Sequence, residues 1–138
     1  MKPSSGVLLV EDDPALLDAM TRYLATVGFE VLTASDYQSA IAHLSSTRLH
    51  GVCVHLHLPN ESGYELCERI REEPSLRFVP IMVTSERASP EDLARAEEAG
   101  ANAFLQKPFS MQLVTQCLQM LILGGKESRP PIRRLRCA

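Results

Sequence analysis

The chain has 138 residues, of which 45% are hydrophobic and 22% are charged, so it is long enough for one globular domain with its own core and a short extension. No apolar run reaches the roughly 18 residues that a membrane span needs, and the first residues lack the apolar segment of a secretory signal. We therefore expect a cytoplasmic protein that does not interact with a membrane.

Charge is distributed unevenly along the chain, whose net charge is −3. Residues 1–125 contain 9 basic and 16 acidic residues, whereas residues 126–138 contain 5 basic residues and one acid. The acidic segment of residues 1–125 repels the phosphate backbone of nucleic acids, so nucleic acid binding through this part of the chain is not expected. A Gly-Gly pair precedes the basic segment and predicts a boundary. We divide the chain into a domain, residues 1–124, and a basic tail or linker, residues 125–138, for which a docking role is an alternative.

Segments typical of strands and helices alternate five times along the chain. Short apolar runs predict strands at Val7–Val10, Glu30–Ala34, Val52–Val54, Pro80–Val83 and Ala103–Leu105. Capping residues predict five helices. The first two run from Asp13 to Gly28 and from a Ser35–Gln38 capping box to about Ser46, and the third follows the loop after the third strand and ends at about Glu73. The last two run from Ser89 to Gly100 and from about Ser110 to Leu123. This alternation predicts an α/β fold with a parallel sheet and helices on both faces. Ligands of such sheets bind beyond the carboxyl ends of the strands.

Four motifs at those strand ends resemble the receiver domain of the bacterial two-component response-regulator family. They are VEDD after the first strand, the loop LPNESG after the third, VTS after the fourth and KPF after the fifth. The resemblance covers residues 6–123. It implies a flavodoxin-like, doubly wound (βα)5 fold with five parallel strands in the order 2-1-3-4-5. It also implies a role in phosphorelay signal transduction rather than enzymatic activity.

The resemblance assigns roles to individual pocket residues. Glu11 and Asp12 match the acidic pair that holds Mg²⁺, with a backbone carbonyl from the position of His57. Thr84 matches the hydroxyl that binds a phosphoryl oxygen. Lys107 matches the lysine that pairs with the acids, and the family has a cis peptide bond before the following proline.

The position of the phosphoryl acceptor departs from the family pattern. The phosphorylated aspartate of the family lies four residues before the loop proline, and counting back from Pro59 gives His55. Val54 and Leu56 flank it, so a shift of one residue recovers no acid. An imidazole has no carboxylate to form an acyl phosphate, and it suits Zn²⁺, Ni²⁺ or Cu²⁺ better than Mg²⁺. Mg²⁺ binding is therefore expected to be weak or absent, and no cofactor is expected.

Three interpretations of His55 are open. It is a silent replacement that fixes one conformation through a hydrogen bond to Asp12 or Thr84, a ligand of a transition-metal ion together with Glu11 and Asp12, or a residue that itself accepts a phosphoryl group. The first interpretation predicts an atypical receiver that acts as a phosphorylation-independent protein-interaction module.

The resemblance also places the output surface on the fourth helix, the fifth strand and the fifth helix. Thr84 and Phe104 would be the movable parts of the switch, although a plain core phenylalanine is an equally good interpretation of Phe104. A protein partner or a second copy is expected on this face, because the last helix has more apolar residues than one core stripe requires. The alternative is that the chain is the receiver half of a larger regulator.

Overall fold

The computed structural model describes residues 5–45 and 48–124 in full, together with the backbone of residues 133–135. The strands are β1 (Gly6–Val10), β2 (Glu30–Ala34), β3 (Gly51–His55), β4 (Ile81–Ser85), β5 (Ala103–Gln106) and β6 (Arg133–Leu135). The helices are α1 (Pro14–Thr26), α2 (Tyr37–His43), α3 (Gly63–Glu72), α4 (Pro90–Ala99) and α5 (Met111–Leu123), and a 3-10 helix spans Pro74–Leu76.

The strands form one parallel sheet in the order β2-β1-β3-β4-β5-β6. The predicted α/β fold with the order 2-1-3-4-5 is therefore confirmed. The sixth strand was not predicted: it lies within the segment assigned to the tail and pairs with the outer edge of β5. The rest of that segment, residues 125–132 and 136–138, lies outside the described residues, so the predicted division at residue 124 stays a prediction.

Two apolar clusters cover the two faces of the sheet. Alternate residues of β3 illustrate this arrangement, since Val52 and Val54 belong to one cluster and Cys53 belongs to the other. The first cluster includes residues of α3 and α4, and the second includes residues of α1 and α5. β3 and β4 are buried along their whole length, as expected for central strands of a parallel sheet. Within the described part of the chain, we find no helix with the length and hydropathy needed to cross a bilayer.

The capping residues explain where most helices begin and end. The side chain of Asp13 accepts from the second and third residues of α1, and Ser89 forms a capping box with Asp92 at the start of α4. The predicted box at the start of α2 was wrong by one residue, because Asp36 and Ser39 form it instead of Ser35 and Gln38. The hydrogen bonds from Ser39 hold the pKa of the Asp36 carboxyl below its usual value.

Three strands extend further toward the carboxyl edge of the sheet than their apolar runs predicted, and β5 does so by Gln106 alone. β3 includes His55, and β4 includes Thr84 and Ser85. All three polar residues are buried. Backbone pairing continues to the point where His55 lies opposite Thr84. The sheet therefore fixes the positions of these side chains, which belong to strands rather than to loops.

Candidate functional site

The polar residues selected from the motifs lie together at the carboxyl edge of the sheet. Glu11 and Asp12 follow β1, His55 ends β3, Thr84 is its neighbour in β4, and Lys107 follows β5. Parallel strands place their carboxyl ends on one edge, which brings residues far apart in the chain into one pocket. The structure thus brings the predicted pocket residues together at this edge of the sheet.

Glu11 and Lys107 form a buried ion pair at the base of this pocket. Lys107 Nζ donates to Glu11 Oε1 over 2.8 Å, and the backbone N–H of Asp13 donates to Glu11 Oε2 over 3.1 Å. The side chains of Glu11 and Lys107 are 3% and 13% exposed. A carboxylate buried this deeply is costly unless it is paired and hydrogen-bonded. Both oxygens of Glu11 therefore have partners, and Lys107 supplies the compensating charge.

His55 lies among three carboxylates without a hydrogen bond to any of them. Its Nδ1 is 3.9 Å from Glu11 Oε1, and its Nε2 is 3.7 Å from Asp12 Oδ1 and 3.9 Å from Glu86 Oε1. Each distance exceeds the 3.2 Å that a good N–H···O bond requires. The predicted hydrogen bond from His55 to Asp12 is therefore absent, and among the described residues none joins His55 to Thr84. The side chain is only 5% exposed, and Nδ1 is buried with no hydrogen-bond partner in the part of the chain that the structure describes.

No role was predicted from the sequence for two residues near the pocket. Glu86 follows β4 directly and faces His55, and Ser85 Oγ lies 3.4 Å from Nε2 of His57. The rule about strand ends covers both positions, but the motif assigns no role to them. The ring of His57 lies edge-on to that of His55, with centroids 5.8 Å apart. The role of the His57 backbone as a metal ligand stays a prediction.

Gly63 allows the loop after β3 to close against the strand that carries His55. The backbone N–H of Gly63 donates to the carbonyl of Leu56 over 2.8 Å. A Cβ atom at this position would lie 2.5 Å from the carbonyl oxygen of His55 and 2.7 Å from the Cα of Leu56. These are backbone atoms, which cannot rotate away. The glycine of the LPNESG motif is therefore required by close packing.

The segment after β5 is fixed by backbone contacts to β4. The peptide bond between Lys107 and Pro108 is cis, as predicted, and the N–H of Lys107 donates to the carbonyl of Ser85 over 2.8 Å. Phe104 is completely buried within the core. This burial agrees with its interpretation as a core residue, and its role in a switch stays a prediction.

The cysteines of the described chain are free and buried, namely Cys53, Cys67 and Cys117. Burial, reinforced by the negative charge of Glu11, raises the pKa of the Cys53 thiol to about 12. Burial also raises the pKa of Cys67 to about 12. Cys53 and Cys67 are therefore neutral at physiological pH, and neither presents a reactive thiolate in this structure. Cys137 lies outside the described residues.

Comparison with known proteins agrees with this geometry. The family model for the response regulator receiver domain matches residues 7–119. The chain is 28% identical over 116 residues to the sensory transduction protein BceR of Halalkalibacterium halodurans. The aligned region covers 84% of this chain and 49% of that protein. The chain thus spans about half the length of the curated relatives it matches.

Solved structures of similar fold match almost over their full length. The chemotaxis response regulator CheY4 of Vibrio cholerae superposes with a TM-score of 0.82 at 27% identity, covering 86% of this chain and 99% of that one. The receiver domain of the sensor histidine kinase PA1611 from Pseudomonas aeruginosa has a TM-score of 0.80 at 28% identity, covering 89% of this chain and 100% of that one. That structure has a magnesium ion coordinated in its active site cleft.

Proposed function

The chain belongs to the response regulator receiver domain family, and we propose that it acts within two-component signalling as a protein-interaction module that does not require phosphorylation. The observation that carries the proposal is His55, a buried imidazole at the end of β3. The spacing of the LPNESG motif assigns this position to the phosphorylated aspartate. An imidazole cannot form an acyl phosphate, because that bond requires a carboxylate oxygen.

The surroundings of His55 also disfavour phosphorylation of the imidazole itself. Nδ1 is buried, and Nε2 faces the carboxylates of Asp12 and Glu86. A phosphoryl donor carries negative charge, so it would be repelled from this nitrogen unless a cation were bound. We therefore propose that His55 replaces the acceptor without taking over its chemistry.

The donor set fits Mg²⁺ poorly. Mg²⁺ requires nearly octahedral oxygen ligands and gives up its water reluctantly. In this pocket an imidazole stands at the end of β3, where the family pattern has a carboxylate, so one oxygen ligand is replaced by nitrogen. We propose weak Mg²⁺ binding, no resident cofactor and no enzymatic activity for this chain.

The proposed output surface consists of α4, β5 and α5, and its partner is a protein or a second copy of the chain. Most apolar residues of α5 pack into or against the core, which leaves Met120 and Leu123 as its exposed large apolar residues. β6 covers the outer edge of β5, so the helices offer the accessible part of this surface. Such a small exposed apolar area favours a transient partner over an obligate interface. The relatives' greater length supports a second candidate, the receiver half of a larger regulator.

Beryllofluoride, which mimics the phosphoryl group on an aspartate, tests this proposal. We expect that the amide NMR spectrum of the protein does not change on addition of beryllofluoride and Mg²⁺. We expect the His55→Asp variant to show shifts around the pocket and on α4, β5 and α5, because Glu11, Asp12, Thr84 and Lys107 are in place. Measuring both spectra at matched concentrations distinguishes the two cases.

A matched control is His57→Asp, which adds a carboxylate near the pocket but not at the acceptor position. His57 is exposed, so this variant is expected to fold and to remain unresponsive. Shifts of pocket residues in the unmodified protein at substoichiometric beryllofluoride would contradict the proposal.

A further inference from the structure

We infer that Glu11, Asp12 and His55 form a binding site for a divalent transition-metal ion such as Zn²⁺ or Co²⁺. One carboxylate oxygen of each acid and one ring nitrogen lie within 4.8 Å of one another. Ligand atoms in a tetrahedral zinc site, with bonds of about 2.0–2.2 Å, are about 3.3–3.6 Å apart. The three side chains therefore need to close by about 1 Å to hold an ion, and Asp12, whose side chain is 38% exposed, has room to move.

The unpartnered nitrogen of His55 is the independent indication of a ligand. Buried polar atoms are almost always hydrogen-bonded, yet Nδ1 has no partner within the described ranges and lies 3.9 Å from the nearest oxygen of Glu11. A ligating histidine normally donates its other ring N–H to a carboxylate or carbonyl. Both ring nitrogens face carboxylates in this pocket, since Nε2 faces Asp12 and Glu86. An ion on one nitrogen would thus leave the other nitrogen facing a carboxylate that can accept its N–H.

The chemistry of the donor set selects the class of ion. Two carboxylates and one imidazole suit Zn²⁺, Co²⁺ or Ni²⁺, whereas Mg²⁺ prefers oxygen ligands alone. Among the described residues, no cysteine sulfur belongs to this group of neighbouring ligand atoms. The proposed ligand atoms are therefore nitrogen and oxygen. Binding of an ion would then regulate the domain without a phosphoryl group. The proposed function does not depend on this inference, because an imidazole forms no acyl phosphate, and a ring nitrogen that ligates an ion has no lone pair left to accept a phosphoryl group.

The positive charge of Lys107 lowers the affinity of the site for the ion. The ammonium lies 2.8 Å from Glu11 Oε1, so it competes for the same oxygen and repels a second cation. Removing this charge is expected to increase the affinity for Zn²⁺. This direction is expected for a site that includes Glu11, whose oxygen Lys107 would no longer occupy.

Isothermal titration of the full chain with Zn²⁺, Co²⁺ and Mg²⁺ tests the inference. We expect one equivalent of Zn²⁺ or Co²⁺ to bind at least tenfold more tightly than Mg²⁺. His55→Ala and Asp12→Asn should each lower the Zn²⁺ affinity by at least about tenfold, since changes outside the ligand shell already cost about 10- to 100-fold. Lys107→Met should raise it. Asp12→Asn changes a partly exposed side chain, so it tests the site even if a change at His55 perturbs folding.

Two control variants exclude binding elsewhere in the chain. His43→Ala, at a histidine that contacts the carbonyl of Thr33 instead of the pocket, and Cys137→Ser should leave the Zn²⁺ affinity within about twofold of the starting value. The Co²⁺ complex should show d–d absorption without the thiolate charge-transfer bands of a cysteine-ligated ion. Unchanged Zn²⁺ affinity in both His55→Ala and Asp12→Asn, thiolate bands with Co²⁺, or equal affinity for Mg²⁺ would each overturn the inference. None of these results bears on beryllofluoride, so failure of the metal site remains distinguishable from failure of the proposed function.

Discussion

Replacing Lys107 by methionine is expected to lower the free energy of unfolding by about 3–5 kcal/mol, the range for removing one partner of a buried ion pair. Methionine keeps most of the apolar stem but leaves the carboxylate of Glu11, 3% exposed, without a bonded cation. His55 cannot replace the lysine where it stands, because its nearest nitrogen is 3.9 Å from that carboxylate. Urea unfolding followed by circular dichroism, with EDTA present to remove metal ions, measures the change.

The double variant Glu11→Gln/Lys107→Met isolates the charge from the packing. It should be more stable than Lys107→Met alone, because the buried position then holds a neutral amide. A surface control is Arg22→Met, which breaks an exposed ion pair between Arg22 and Asp18 of nearly the same length, 2.9 Å. That change should cost at most about 1 kcal/mol. If the double variant were no more stable than the single one, the buried charge of Glu11 would not be the cause of the loss.

Replacing Gly63 by alanine is expected to destabilise the domain by about 3 kcal/mol, near the upper end of the usual range for over-packing. The new Cβ would lie 2.5 Å from the carbonyl oxygen of His55 and 2.7 Å from the Cα of Leu56. Because both are backbone atoms, the start of α3 must move away from β3. That movement would stretch the bond from Gly63 N–H to the Leu56 carbonyl and would displace the end of the strand that carries His55. Thermal and urea unfolding measure the loss.

Gly51→Ala is the matched control for this steric argument. A Cβ atom there would contact side-chain atoms of Ile122 at 3.2 and 3.3 Å, and that side chain can change its rotamer. The cost should be about 1 kcal/mol. Equal losses for the two variants would contradict this argument, because the backbone contacts at Gly63 would then cost no more than the side-chain contacts at Gly51.

The order of strands and helices could be predicted because apolar runs and capping residues report locally on each element. The ends of the strands were predicted less accurately, because each predicted strand ended at its last apolar residue. Polar residues such as His55 and Thr84 continue the backbone pairing into the pocket. β6 was missed for a related reason. Its sequence, RRL, contains no apolar run, and its pairing with β5 depends on backbone bonds that no side-chain pattern reports.

The residues of the pocket could also be predicted, since each motif lies at a strand end and the topology brings those ends together. The contacts among them could not. Whether His55 bonds to Asp12 depends on about 0.5 Å, the difference between the observed 3.7 Å and a good hydrogen bond. The carboxylate of Glu86 lies 3.9 Å from His55 Nε2 because of the path that the chain takes after β4. Side-chain distances of this kind follow from packing and are not recorded in motif spacing.

Intact-mass spectrometry after incubation with acetyl phosphate and Mg²⁺ tests the central claim most directly, when it is done on this protein and its His55→Asp variant side by side. Rapid desalting near neutral pH preserves labile phosphoryl groups for the measurement. We predict that only the variant gains the mass of one phosphoryl group, because only the variant has a carboxylate at the end of β3. A phosphoryl group on the protein that carries His55 would contradict the account, since another residue would then serve as the acceptor.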